Sequence, residues 1–407
     1  MQADGHDHKH SQSKIIMIVV LSVISIFIFI GLVFFVNTLM EKKNKFKFRL
    51  DPFLEGMAME KLIRFKSAQL VDCTNNYSTL LGSGGFGKVY LGQLPNGVQC
   101  AVKVLQRNLD RKTEEQFKAE VSTIGRTYHA NLVKLYGFCY DDSLSALVYE
   151  YMKNGSLDKY LFRDNHSSTS SPMISWEKFY EIAVGTAKGL AYLHEDCQQR
   201  IIHYDIKPAN ILIDDNFSPK VADFGMAKLC NKDKTHVTMT GYRGTPGYSA
   251  PEFLLHNFHI TYKSDVYSFG MLLFEILGRR KNTNMSATTS NLDWFPSCVW
   301  DKYEKGELEE LTKSCKIEEA ERERAQRLAK VALWCVQDSP HARPRMSIVV
   351  KMLEGEVEIL PPPKPFSFMF SIRENTINSS KTSKEVDSNW YKDTSRIIFE
   401  CEIQIDN

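Results

Sequence analysis

The chain has 407 residues, 43% hydrophobic and 25% charged, the balance of an ordinary globular protein with one large or two medium domains. A net charge of +2 offers no basic field for nucleic acid, so no nucleic-acid partner is expected. The nine cysteines are scattered and none stands at C-x-x-C spacing. That excludes a zinc ribbon, a redox dithiol motif and a secreted disulfide framework, and it fits a reducing compartment.

Residues 1–14 are polar and include His6, His8 and His10, with nothing to fix a ligand geometry. They read as a solvated extracytosolic tail too short to bury a core, so no folded ectodomain is expected within this chain. Ile15 to Val36 form a 22-residue run without charge, interrupted only by Ser22, Ser25 and Gly31. At about 1.5 Å per residue such a helix spans the roughly 30 Å hydrocarbon core of a bilayer, and it is longer than a signal-peptide core. Lys42, Lys43, Lys45, Lys47 and Arg49 follow the run, whereas only Lys9 and Lys14 precede it. The positive-inside tendency then places the remainder in the cytosol of a single-pass membrane protein, with the lipid bilayer as a partner.

Residues 37–75 read as a basic juxtamembrane linker, with Arg64-Phe65-Lys66 and Leu70 beginning to pack onto the domain behind it. Lys88–Leu91 and Cys100–Leu105 alternate like strands, and Thr113–Gly125 reads as an amphipathic helix. Phe179–His194, Lys263–Leu277 and Arg324–Val336 also carry helical periodicity. Strands first and helices after predict an α+β domain over 76–356, with a β-rich lobe at 76–152 and a helical lobe at 153–356. The serine-rich stretch Arg163–Pro172 reads as a surface loop. The tail 357–407 is polar beyond its prolines.

Leu81-Gly82-Ser83-Gly84-Gly85-Phe86-Gly87-Lys88-Val89 is a G-x-G-x-x-G-x-V run. Glycines let the backbone approach phosphate oxygens where a Cβ would clash. A dinucleotide-binding turn shares the spacing but needs a helix directly after the glycines, and here a strand follows. The next strand carries Ala101-Val102-Lys103, and Glu120 lies within the predicted helix as the anion that holds Lys103. In His203-Tyr204-Asp205-Ile206-Lys207-Pro208-Ala209-Asn210, one short loop supplies a carboxylate, a cation and an amide oxygen. Phosphoryl transfer needs these to orient a hydroxyl, steady the γ-phosphate and bind Mg²⁺. Asp223-Phe224-Gly225 follows, and its carboxylate suits the same hard ion.

This order of motifs resembles the eukaryotic protein kinases over about residues 76–356. The resemblance implies the bilobal protein kinase fold, a small β-rich N-lobe and a large helical C-lobe, here after one N-terminal transmembrane helix. It implies ATP as phosphoryl donor and Mg²⁺ as cofactor. Leu81, Gly82, Gly84, Gly87 and Val89 would cover ATP, Lys103 would pair with Glu120, and Glu150 to Met152 would form the hinge against adenine. Asp205 would be the catalytic base, Lys207 would support it, and Asn210 and Asp223 would bind the metal. Tyr149 falls at the gatekeeper position, Ala250-Pro251-Glu252 closes the activation segment, and Glu252 and Arg343 form a structural pair. Asp265 would support the catalytic loop.

Gly84-Gly85-Phe86-Gly87, Leu147-Val148-Tyr149-Glu150-Tyr151-Met152 and Asn154-Gly155-Ser156-Leu157 are similar to plant receptor-like kinases, the relatives of the Pelle and interleukin-receptor-associated kinases. His203-Tyr204-Asp205-Ile206-Lys207-Pro208 is similar to the branch with rust-resistance-type receptor kinases. Lys207 and Thr245 imply serine/threonine specificity, hence protein substrates, and a full-length receptor kinase is the expected membrane partner. Tyr204 replaces the arginine that meets a loop phosphate, so activity is expected to depend weakly on phosphorylation of Thr235, Thr238 or Thr240. The competing reading is a membrane-tethered pseudokinase scaffold. Retention of Lys103, Asp205 and Asp223 argues against it.

Overall fold

The computed structural model describes residues 17, 20–21, 24–38, 62–84, 87–105, 111–141, 144–162, 174–232, 244–253, 260–282 and 294–366. Gly85, Phe86, Thr235, Thr238, Thr240, the three N-terminal histidines, the basic flank at 42–49, the serine-rich loop and the tail beyond 366 lie outside them. The chain divides into two units, Met1–Lys61 and Leu62–Asn407.

In the first unit residues 24–38 are helical, and Phe27 and Phe34 are each 70% exposed. The Thr38 hydroxyl donates to the carbonyls of Phe34 and Phe35 at 3.1 and 2.8 Å and satisfies the last turn. Among the described residues no helix is long and apolar enough to cross a membrane.

The second unit opens with β1 (Ile63–Arg64) and α1 (Ser67–Cys73), then β2 (Leu80–Gly84), β3 (Gly87–Gln93), β4 (Gln99–Val104), α2 (Arg111–Ile124), β5 (Leu135–Tyr140) and β6 (Ser145–Glu150). One six-stranded sheet runs β1-β5-β6-β4-β3-β2, with β1 parallel to β5 and the other pairs antiparallel. The two-residue period of the strands divides its faces. Cys100, Val102, Ala146 and Val148 pack with Leu70 of α1 on one side. Ala101 and Lys103, in register with Tyr149 and Leu147, point to the other. Residues 62–73 therefore belong to the packed domain, ahead of the boundary at 76 expected from the motifs. Their signal is weak because β1 has two residues and only Leu70 of α1 is buried.

The helical lobe comprises α3 (Asp158–Leu161), α4 (Trp176–Ala191), α5 (Lys263–Gly278), α6 (Phe295–Glu304), α7 (Leu308–Ser314), α8 (Arg322–Cys335) and α9 (Met346–Glu354). Two short antiparallel ribbons lie between α4 and α5, β7 (Arg200–Ile202) with β10 (Lys228–Cys230), and β8 (Ile211–Ile213) with β9 (Pro219–Val221). Every residue of α5 from Ser264 to Leu277 is buried, the mark of a helix surrounded by the lobe. A Cβ on Gly270 would come within 2.8 Å of Cys335 and 2.7 Å of Val336, so glycine lets α8 approach α5.

Arg343, 1% exposed, spends all five donors. It is bidentate to Glu252 at 2.7 Å twice and also donates to the carbonyls of Gln337, Lys263 and Asp338. Full satisfaction offsets the desolvation of a buried ion pair, and removing one partner strands the other at about 3–5 kcal/mol. This pair anchors the end of the activation segment.

A second anchor is Glu275 on α5, which accepts from the Tyr248 hydroxyl at 2.7 Å and from the Asn282 amide at 3.2 Å. Burial pushes its carboxyl up to about 7 despite those two donors. A folded value above the unfolded one favours the fold most at low pH, and that stability is lost as pH rises through the folded value. Stability should therefore fall between about pH 4.5 and 7, by on the order of 3 kcal/mol, and Glu275→Gln should lack that fall. Thermal unfolding from pH 5 to 8 checks this, and parallel curves for the two proteins would contradict it.

Candidate active site

The catalytic loop is held from below by one carboxylate. Asp265, fully buried on α5, accepts the backbone amide of His203 on Oδ2 and that of Tyr204 on Oδ1, each at 2.8 Å. His194 Nε2 stands 2.8 Å from Oδ2 and donates to it, since a carboxylate there can only accept. These bonds keep Tyr204 at φ 66°, a left-handed conformation that a bulky residue adopts only under constraint. The His203 ring accepts from the Asp205 amide on Nδ1 at 3.2 Å and lies 3.0 Å from the Ala222 carbonyl through Nε2. Its edge meets Phe224 with centroids 4.8 Å apart. Tyr204 packs with Ile202, Cys230, Met226 and Phe253.

Asp205 gathers the predicted residues around it. Oδ1 accepts from Thr245 Oγ1 at 2.5 Å. Oδ2 meets Lys207 Nζ at 2.8 Å and Asn210 Nδ2 at 2.8 Å. Lys207 also donates to Thr245 Oγ1 at 2.8 Å, so the ammonium bridges the carboxylate and the hydroxyl. Asn210 Nδ2 further donates to the Asp205 carbonyl, which leaves Oδ1 of the amide as its acceptor for another group.

The second cluster spans the two lobes. Lys103 Nζ lies 2.5 Å from Glu120 Oε1 and 2.8 Å from Asp223 Oδ1. Burial alone would lower the Lys103 ammonium, but Glu120 and Asp223 outweigh it and raise its pKa above the ordinary lysine value. Burial likewise pushes Asp223 upward, and Lys103 overcomes this to hold the carboxyl below its usual range. Burial raises Glu120. With Lys103 on one oxygen and the Tyr149 hydroxyl donating to the other, its surroundings are those of a carboxylate. Gly225 sits beside this group, where a Cβ would come within 3.1 Å of Glu120 Oε1.

The glycine hairpin is formed as predicted, with Gly84 opposite Gly87 and Gly82 opposite Val89. Its glycines differ. Gly87 has φ +140°, and a Cβ there would collide with the Val104 carbonyl at 2.1 Å, so the backbone demands glycine. At Gly82 and Gly84 a Cβ would meet nothing within 4 Å, so the fold itself leaves open space there. At the hinge, the Glu150 carboxylate accepts from the Lys134 amide at 2.7 Å and pairs with Lys220 at 3.1 Å.

The donor set fits Mg²⁺. Asn210 and Asp223 offer hard oxygens, and among the described residues no group of three or more His, Cys, Asp or Glu could hold a metal. Mg²⁺ commonly binds through one or two protein oxygens plus substrate phosphates. The sequence did not point to the Tyr149–Glu120 bond or to His194. Those contacts join residues 29 and 71 positions apart, and no local pattern encodes them.

The glycine contrast is testable. Gly87→Ala should cost about 1–3 kcal/mol of stability through backbone strain. Gly82→Ala should leave thermal unfolding unchanged and raise the ATP KM by filling the phosphate space. Equal loss of stability in both variants would contradict this division.

Residues 76–353 match the family described as Protein tyrosine and serine/threonine kinase. The chain is 41% identical over 350 residues to Rust resistance kinase Lr10 of Triticum aestivum, covering 84% of this chain and 54% of that protein. It is 48% identical over 314 residues to the G-type lectin S-receptor-like serine/threonine-protein kinase SD2-5 of Arabidopsis thaliana, covering 77% of this chain and 37% of the relative. It is 42% identical over 323 residues to the PR5-like receptor kinase of Arabidopsis thaliana, covering 78% and 47%. The chain thus spans roughly a third to a half of these relatives' lengths. With the motifs, the fold and the Lys103–Glu120 and Asp205 clusters in agreement, the chain belongs to the protein tyrosine and serine/threonine kinase family, beside plant receptor-like kinases.

Proposed function

We propose that this protein transfers the γ-phosphoryl group of ATP to serine and threonine hydroxyls of proteins. The observation that carries the reading is the convergence of Thr245, Lys207 and Asn210 on Asp205. A serine or threonine hydroxyl approaching Asp205 meets an acceptor already oriented by three donors. The attacking oxygen bonds to the γ-phosphorus as the bond to the β-phosphate oxygen breaks. Asp205 takes the hydroxyl proton, and ADP leaves. Lys207 lies within 2.8 Å of both Asp205 and Thr245, placed to steady charge on the transferred group. Lys103, held charged by Glu120, orients the nucleotide phosphates, while Asn210 and Asp223 supply the oxygens for Mg²⁺. That ion supplies neutralisation of charge on the phosphate oxygens. Glycines 82 and 84 leave room for those phosphates, and the Glu150–Met152 backbone meets adenine.

No observation favours the pseudokinase alternative. The test is transfer from labelled ATP to a generic protein substrate by the full chain, beside Lys103→Ala and Asp205→Asn. Both variants should lose at least about 100-fold in rate, the usual scale for removing a positioned acid–base or electrostatic group. Undiminished transfer by Asp205→Asn would refute the assignment.

The same chain reads as a single-span membrane protein with its kinase domain in the cytosol, and its likeness to receptor-like kinases extends the reading to association with a full-length receptor kinase. The uncharged run at 15–36, the basic flank behind it and the exposed Phe27 and Phe34 support this reading. The protein should stay with the membrane pellet after alkaline carbonate washing, and release into the supernatant would count against the anchor.

A further inference from the structure

Beside the catalytic loop lies a cleft of about 360 Å³ whose wall includes Asp158, Lys159, Phe162, Lys207, Tyr248 and Lys281. Its wall contains neither Lys103 nor Glu120 nor Asp223, and it reaches the Asp205 cluster through Lys207. Lys207 joins it directly to Asp205 and Thr245, the groups that meet the acceptor hydroxyl. Tyr248 comes from the segment just after Thr245 and is fixed there by its bond to Glu275. A polypeptide presenting a hydroxyl to Asp205 therefore has this wall beside it.

The charge of the wall is one-sided. Three lysines face one aspartate, and Asp158 Oδ1 is enclosed away from solvent. Lys207 is committed to Asp205 and Thr245, which leaves the ammonium groups of Lys159 and Lys281 as the cations that an incoming chain meets. Lys281 Nζ stands 5.6 Å from the Phe162 ring centroid, which holds it at the rim by a cation–π contact. Neither ammonium has a carboxylate of the described residues at salt-bridge distance, and the charge of Lys281 is felt at Glu275 only as a minor influence beside burial. The apolar ring of Phe162 reduces the hydration that would screen such charges.

We propose that this cleft selects protein substrates with glutamate or aspartate flanking the acceptor serine or threonine. Lys159 and Lys281 are the specificity-determining residues. The inference rests on the kinase reading above. Complementary charge suppresses wrong partners and steers the right ones, so basic flanks are rejected by the same wall.

The experiment compares kcat/KM for three serine peptides whose flanking residues are glutamate, alanine or lysine. It uses the wild-type full chain and the charge-reversed Lys159→Glu/Lys281→Glu double variant. The wild type should prefer the glutamate peptide over the alanine peptide by about tenfold, the scale of two solvent-exposed ion pairs. The preference should reside in KM and shrink as salt is added. The double variant should prefer the lysine peptide. Because each preference is a ratio within one protein, partial loss of folded enzyme does not alter it. Equal use of the three peptides by the wild type, or an unchanged glutamate preference in the variant, overturns the inference and leaves the kinase reading intact. Absence of transfer to every peptide and to a generic protein substrate overturns both.

Discussion

The buried carboxylate of Asp265 is the interaction on which the rest of the site depends. Its two oxygens hold the His203 and Tyr204 amides, and His194 closes the arrangement from the C-terminal side of α4. A buried charge is tolerated only when its oxygens are satisfied, and here three donors do so. In return the loop keeps a strained left-handed turn at Tyr204, and that turn aims Asp205 away from the core and toward Thr245. His203 extends the same support to the residue behind β9, because its ring bonds the Asp205 amide on one side and the Ala222 carbonyl on the other. The geometry of Asp205 and of Asp223 thus traces to one residue on the central helix.

Two further buried ionic contacts fix what the loop faces. Arg343 with Glu252 pins the end of the activation segment to the helical lobe, while Lys103 with Glu120 ties the sheet to α2. Lys103 also meets Asp223, so the β-rich and helical lobes share an ammonium group across the cleft. Each contact is satisfied on both partners, the condition under which buried ion pairs specify geometry without stranding charge. Tyr149 adds a hydroxyl to Glu120 from β6, which gives the hinge strand a direct hold on α2.

Much of this is legible in the sequence because the chemistry is local. The glycine hairpin, the loop from His203 to Asn210 and the Asp223 turn each fit within ten residues, and all assemble where their spacing implies. Periodicity predicts α5 over Lys263–Leu277 and the helix runs Lys263–Gly278, since its buried face is unbroken. What escapes is long-range or weakly patterned. The packing of Arg64-Phe65-Lys66 and Leu70 is expected, but the pairing of that segment with β5 is not, because its two-residue strand is too short to carry a period. The carboxylate of Glu150 turns to Lys134 and Lys220, which no spacing along the chain foretells. The difference between Gly87, required by its backbone, and Gly82, where a Cβ would meet nothing, appears only in three dimensions.

Whether Asp265 organises the catalytic loop is decided by the turnover number of Asp265→Asn in protein transfer assays, read beside its nucleotide KM and thermal unfolding. The His203 and Tyr204 amides address different oxygens of Asp265, and an asparagine keeps only one of them, its NH2 group facing the other amide donor to donor. The expected result is a fall in kcat of about 100-fold, the scale for displaced catalytic groups, with ATP KM changed little and the protein still folded. A kcat within about twofold of wild type would contradict that role for Asp265, a change too small to signal lost transition-state stabilisation.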